Sequence, residues 1–575
     1  MLITVIKKDM YKDSVALMLL NNKINAHPVV NVASIMMATP ANKDMFKESG
    51  LLTDEVEKAG ANDIAIVLDL DDETELDGIV EIIDEELSAT EKSSAMSGIQ
   101  EATTLPEALE ILPEANLAMI SVPGIYAYSV GKKCLDQNLN LFIFSDNVPI
   151  EEEIQLKKEG REKGLIVMGP DCGTSIIKGV PLAFANQTKS GKIGIVGASG
   201  TGIQEVTSIL DGKGYGITNA IGTGGRDLSE EVGAMTFLKG VENLMDDDET
   251  EVILVLSKPP AKEVREKVEA YLKSLTKPVA SLFLGETPDS HFEGYYRAGT
   301  LEELAILGID LLENKKPETI VSEAEIKDAN GTIKGLYTGG TLATEAALLI
   351  ERGLNINEEL THEHGYILNH EGFEVIDLGD DEYTQGKPHP MIDPTARLPY
   401  ILKAAEDKNT KVIVLDVVLG FGANEDPAST LVETIKEVKS TRPDIDVVTT
   451  ICGTKQDPQN INEQEQQLKD VGATVFHSNR QALDHALGLI GKKIDYKEKP
   501  VLPLEKISVD LDLGEKNNLL NDKLQIINIG LESFANNLKS FDAKYVQYNF
   551  TPIAGGKKEL MRALEFLEAW RGTNE

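Results

Sequence analysis

Short apolar runs alternate with longer stretches of helical spacing along almost the whole chain. In its first third the runs Ile3 to Ile6, Val32 to Met37, Asp63 to Leu68, Leu117 to Val122, Leu141 to Ser145 and Leu165 to Met168 read as strands. This alternation predicts an α/β domain with a mainly parallel sheet over residues 1-180. Loops that carry function then lie at the carboxyl ends of the strands. They are Ala38-Thr-Pro-Ala-Asn42, Val122-Pro-Gly124, Ser145-Asp-Asn147 and Gly169-Pro-Asp-Cys-Gly-Thr174, so Asp171, Cys172 and Gly173 are candidate ligand contacts.

The strongest single pattern is Gly191-Lys-Ile-Gly-Ile-Val-Gly-Ala-Ser-Gly-Thr-Gly-Ile-Gln-Glu205, an apolar strand that enters a glycine turn and opens a helix. Such a turn aims unpaired N–H groups at one point, where the helix dipole also favours negative charge. Ser199, Gly200 and Thr201 are therefore expected to cradle a phosphate or carboxylate. The spacing matches neither the dinucleotide fingerprint nor the P-loop. Gly224 and Gly225, in Gly222-Thr-Gly-Gly-Arg-Asp227, form a second turn of this unit, taken as residues 181-320.

From Ile333 the same order returns. Lys334-Gly-Leu-Tyr-Thr-Gly-Gly-Thr-Leu-Ala-Thr-Glu345 repeats strand, glycine turn and helix, and Lys411 to Val418 parallels Glu251 to Leu256. We infer an internal duplication, with a second unit over residues 321-495. Gly339, Gly340 and Thr341 then form a second helix N-terminus, facing Ser199-Gly-Thr201 across a pseudo-twofold axis. A proline-punctuated connector, Lys497 to Pro503, precedes a small α/β module over residues 505-575 that docks on the body or on a partner.

The densest polar cluster is Gly386-Lys-Pro-His-Pro-Met-Ile-Asp-Pro-Thr-Ala-Arg397. Lys387, His389, Asp393 and Arg397 are the candidate catalytic residues. Arg suits bidentate carboxylate binding and His suits proton transfer, although a surface loop also collects these residue types. Asp416 and Cys452 end neighbouring strands and are candidates to wall the same pocket, whereas His291 reads as an exposed loop histidine.

At 575 residues the chain exceeds what one core supports. Its 95 acidic against 56 basic residues, net -39, disfavour nucleic acid and anionic membrane as partners. Anionic ligands must be held locally. Cys134, Cys172 and Cys452 lie far apart, so neither a disulfide framework nor a metal site is expected, and the setting is cytoplasmic. No apolar run approaches the length of a membrane span or signal peptide. The first strand leads into Lys7 to Ser14 without a glycine, which weighs against a dinucleotide or CoA at that turn.

Gly169-Pro-Asp-Cys-Gly, Lys192-Ile-Gly-Ile-Val-Gly-Ala-Ser-Gly-Thr, Gly222-Thr-Gly-Gly and Lys277-Pro-Val resemble the α subunit of succinyl-CoA synthetase. The segment after Lys334 resembles the carboxy-terminal domain of its β subunit. The pieces joined in one chain are similar to the FdrA-like family, through Ala38-Thr-Pro-Ala-Asn-Lys43, Ser121-Val-Pro-Gly124, Phe144-Ser-Asp-Asn147, Met168-Gly-Pro-Asp-Cys-Gly-Thr174, Pro388-His-Pro-Met-Ile-Asp393 and the Ala-Gly-Gly556 tail. The resemblance implies a Rossmann-like, CoA-binding-type domain followed by two flavodoxin-like succinyl-CoA synthetase-type domains. The synthetases carry phosphate on a histidine in Gly-His-Ala-Gly, where this chain reads Phe292-Glu-Gly-Tyr-Tyr-Arg-Ala-Gly299, and no nucleotide-grasping domain is recognisable. The family's association with anaerobic allantoin breakdown implies a subunit of a hetero-oligomeric carbamoyltransferase. That enzyme interconverts oxalurate plus phosphate with oxamate plus carbamoyl phosphate, with phosphate or carbamoyl phosphate as substrate. The alternatives are an acyl-CoA synthetase that needs a separate nucleotide-binding partner, and a non-catalytic scaffold subunit.

Overall fold

Among the described residues of the computed structural model the strands form four sheets. Residues 2–552 are described, apart from 9, 11, 13, 26, 71–72, 98–99, 328, 357–364, 385–388, 505–508, 510 and 542. No described helix is long and apolar enough to cross a membrane.

The six strands expected to form one mainly parallel sheet over residues 1-180 fall in two sheets. Leu2–Lys7 and Val30–Met37 flank Ile64–Leu70, both antiparallel to it. Ile64, Ile66 and Leu68 pack with Leu17 and Leu20 of the helix Ser14–Asn25 and Ile83 of the helix Leu76–Ser97, while Ala65 and Val67 meet Phe46 and Val56 on the other face. A strand buried on both faces reads as a continuous apolar run, and parallel sheets give the same run. The pattern therefore disclosed the strand and not the direction of its partners.

The remaining early strands, Leu117–Ile120, Asn140–Ile143 and Val167–Met168, form half of a parallel sheet. Its other half comes from the far end of the chain. Gln525–Ile529 pairs with Leu117–Ile120, and Lys544–Tyr548 pairs with Gln525–Ile529 and with the edge strand Glu101–Ala102. The carboxy-terminal strands thus lie inside this sheet and build no sheet of their own.

The two glycine-turn units share one topology. In the first, parallel strands run in the order Ile217–Gly222, Ser190–Ala198, Val252–Ser257, Val279–Phe283, Tyr295–Arg297. In the second the order is Phe373–Asp377, Thr332–Tyr337, Thr410–Val418, Asp446–Cys452, Ala473–Phe476. In each, the strand entering the glycine turn takes the same place.

The helix Gly200–Gly212 lays Ile203, Val206 and Leu210 on its own sheet at helical spacing. Its polar residues Gln204, Glu205 and Ser208 are buried too, because the opposite face meets the second unit. The helix Gly340–Leu354 is placed equivalently. Each sends a glutamate across the seam: Glu205 Oε1 accepts from Asn479 N at 2.8 Å, and Glu345 Oε1 accepts from Leu301 N at 2.7 Å. Those acceptors satisfy the first-turn donors of the helices Asn479–Leu489 and Leu301–Leu312. Burial pushes the Glu205 carboxyl up to about 8 and raises that of Glu345.

Candidate functional site

The two glycine turns meet at a cavity of about 550 Å³, lined also by the loops Ser121–Pro123, Ser145–Asp146 and Asp171–Thr174. Ser199 caps its helix by accepting from Gly202 N at 3.0 Å, and its Oγ lies 2.6 Å from Thr341 Oγ1, so the two helix N-termini are in contact. A Cβ on Gly339 would come within 2.9 Å of Thr201 Cγ2, and the turns approach this closely only with glycine there.

The two N-termini are not equivalent. Gly339 N and Thr338 N each donate to the Asp416 carboxylate at 2.8 Å, joined by Thr338 Oγ1 at 3.0 Å. Asp377 comes beside Gly340, where an added Cβ would stand 2.3 Å from its Oδ2 and 3.2 Å from Lys258 Nζ. The second turn is thus already faced by two carboxylates, and Gly339 spends its donor on one of them. Burial raises Asp377 to about 6 although Lys258 opposes the shift. At Gly200 and Thr201 the first-turn N–H groups have no intrahelical acceptor, and they border the cavity with the dipole behind them.

Ser199, Gly200, Thr201, Gly224, Gly225, Gly340, Thr341, Asp171, Cys172, Gly173 and His389 all line the cavity. Gly225 stands against Asp171, whose Oδ2 would lie 3.1 Å from a Cβ there. Cys172 is buried and its thiol is pushed up to about 12, which makes it packing material.

Among the described residues the expected catalytic cluster does not come together. Arg397 is 1% exposed and its Nη1 donates to Asp416 O at 2.8 Å and Oδ1 at 2.9 Å, so it neutralises a buried carboxylate and does not reach the cavity. Asp393 caps the short turn Pro394–Arg397, accepting from Thr395 N. Lys387 lies outside the described residues. His389 does face the cavity, but burial lowers it to about 4, so it is a neutral imidazole. Its Nδ1 accepts from Met391 N at 3.1 Å, which leaves the proton on Nε2. His291 is buried against Tyr296 and is not an exposed loop residue.

Sequence reasoning missed Lys258, Asp377, Asp380, Gln204 and Thr223 as lining residues. Lys258 and Asp377 stand at the carboxyl ends of Val252–Ser257 and Phe373–Asp377, so the strand-end rule applied to these units would have found them.

Three family models match the chain: "AllF, heavy metal-associated domain" over residues 1–104, a CoA-binding domain over 188–285 and a CoA-ligase over 336–488. The uncharacterized protein YahF of Escherichia coli (strain K12) is 39% identical over 501 residues, covering 83% of this chain and 96% of YahF. Subunit alpha 1 of the ADP-forming succinate–CoA ligase of Archaeoglobus fulgidus is 26% identical over 198 residues, 34% of this chain and 66% of that subunit. A solved dinucleotide-forming acetyl-coenzyme A synthetase of Ca. Korarchaeum cryptofilum shares 15% identity at a TM-score of 0.29, covering 68% of this chain and 84% of its own.

These matches overturn the carbamoyltransferase expectation. The matched pieces are of CoA-binding and CoA-ligase type, which is the ligase alternative. They also remove the objection to CoA drawn from the first strand, because the CoA-binding match falls on residues 188–285, which contain the Gly197–Gly202 turn. Residues 1–104 contain no cysteine and one histidine, His27. Thiolate ligation of a metal is therefore excluded within these residues.

Proposed function

The chain belongs to the FdrA-like family of succinyl-CoA synthetase-like proteins, and from that premise we propose that it is the acyl-transferring subunit of an acid–thiol ligase whose nucleotide-binding chain is a separate partner. The carrying observation is the cavity itself, where open first-turn amides, the Lys258 cation and the strand-end loops of the parallel sheet converge. Residues 181-320 and 321-495 act as its two halves.

In this reading an acyl phosphate reacts with CoA. The CoA sulfur forms a bond to the acyl carbon, the bond from that carbon to the phosphate oxygen breaks, and the thiol proton leaves with the phosphate. Gly200 and Thr201 hold the phosphoryl oxygens through backbone N–H groups, with the Ser199 and Thr341 hydroxyls beside them. Lys258 offsets their charge. His389 Nε2–H serves as a neutral donor to the reacting carbonyl, so it needs no proton from solution. The asymmetry of the two turns supports one phosphoryl position, at the first helix.

The test uses the purified full chain with acyl phosphates and CoA, without nucleotide. Thioester formation is expected, and Ser199→Ala should slow it on the order of tenfold to a hundredfold through loss of the cap and of one donor. Neither thioester formation nor CoA binding by calorimetry, with any acyl phosphate, would sink the reading. An unchanged rate in Ser199→Ala would remove this turn from the mechanism.

A further inference from the structure

One amide side chain in the cavity is oriented from outside it. Asn186 Nδ2 donates to Asp457 Oδ2 at 2.7 Å and to Leu419 O at 3.0 Å, so Asn186 turns its oxygen toward Gln204. Gln204 Nε2 donates to that oxygen at 3.2 Å and to Leu419 O at 3.3 Å. Flipping the Gln204 amide would set oxygen against two acceptors, so the placement of its oxygen follows from the network. Gln204 lines the cavity and is 1% exposed, and its Oε1 has no partner among the described residues. Thr223 lines the same cavity at 0% exposure, and its Oγ1 likewise has no partner among the described residues. A buried acceptor of this kind is left for a donor that arrives with the ligand.

We propose that Gln204 is a specificity-determining residue that accepts a hydrogen bond from an N–H or O–H group on the acid substrate, with Thr223 as a second contact. The cavity then selects short carboxylic acids bearing an amide or hydroxyl over isosteric acids without one. This rests on the acyl-transfer reading above. CoA also carries N–H and O–H groups, and the experiment separates the two sources.

Binding of two isosteric pairs, malonamate against acetoacetate and malate against methylsuccinate, is measured by calorimetry on the full chain with CoA and phosphate present. The donor-bearing acid of each pair is expected to bind on the order of tenfold to a hundredfold more tightly. Gln204→Met should bring that ratio toward one and Thr223→Val should lower it, with CoA affinity unchanged in both. Thr223→Val leaves the backbone bond from Thr223 N to Gly197 O in place, so it carries the test if Gln204→Met does not fold. Equal binding within both pairs overturns the inference and leaves acyl transfer standing. A ratio untouched by the variants, or a loss of CoA affinity in its place, overturns it as well. Binding of no acid together with no thioester formation overturns both readings.

Discussion

Asp416 shows how one residue distinguishes two similar turns. Its carboxylate gathers the Thr338 and Gly339 amides and the Arg397 guanidinium, and both members of the ion pair are buried. Arg397→Met therefore leaves an uncompensated buried charge. We expect a loss of about 3–5 kcal/mol in urea unfolding, far more than an exposed pair would cost. His389 yields a second prediction. Its folded pKa of about 4 lies below the ordinary 6.5, so the unfolded chain takes up the proton first as pH falls. The contribution of His389 to stability is full above about pH 6.5 and is lost on descent toward pH 4. His389→Gln should flatten that part of the melting temperature against pH. The sequence marked Lys387, His389, Asp393 and Arg397 as catalytic candidates from residue type alone. Charge state and pairing depend on burial, which residue type does not report.

At the scale of elements, each cradle helix is tied by a glutamate to the first turn of the last helix of the other unit. Glu345→Ala strips the acceptor from Leu301 N and from Asn479 Nδ2, which reaches Glu345 Oε2 at 2.9 Å. Losing a cap and stranding buried donors should cost about 1–3 kcal/mol by chemical denaturation. Glu205 adds a pH dependence of the opposite sign to that of His389. Its folded pKa of about 8 exceeds the ordinary 4.5, so the folded chain holds the proton longer, and this contribution falls as pH rises from about 4.5 to about 8. Glu205→Gln keeps an oxygen for Asn479 N and should remove that decline. The repeated order of strand, glycine turn and helix was legible, because spacing and composition are local. The swap of Glu205 and Glu345 was not, since each partner lies in the other unit.

Over the whole molecule, the carboxy-terminal strands occupy the middle of a sheet begun some 400 residues earlier, as the pairing of Ile526 with Leu117 shows. Ending the chain at residue 500 should expose the unpaired edge of Leu117–Ile120 and render residues 101–168 sensitive to limited proteolysis. A stable body lacking a small appendage would contradict this. The antiparallel unit behaves differently, because its two core clusters draw on no described residue beyond Leu87. Removing residues 1–97 should leave a cooperatively folding remainder.

Apolar runs, glycine turns and capping residues are short-range signals. By themselves they determined that this is a multi-domain α/β chain with two similar units, each opening a helix at a glycine turn. Only the tertiary structure decided which strands pair, that the chain's end completes a sheet near its beginning, and which polar residues share a cavity. It also decided that two carboxylates, Asp416 and Asp377, stand beside the second glycine turn. Those outcomes depend on burial and on partners distant in sequence, and local periodicity carries neither.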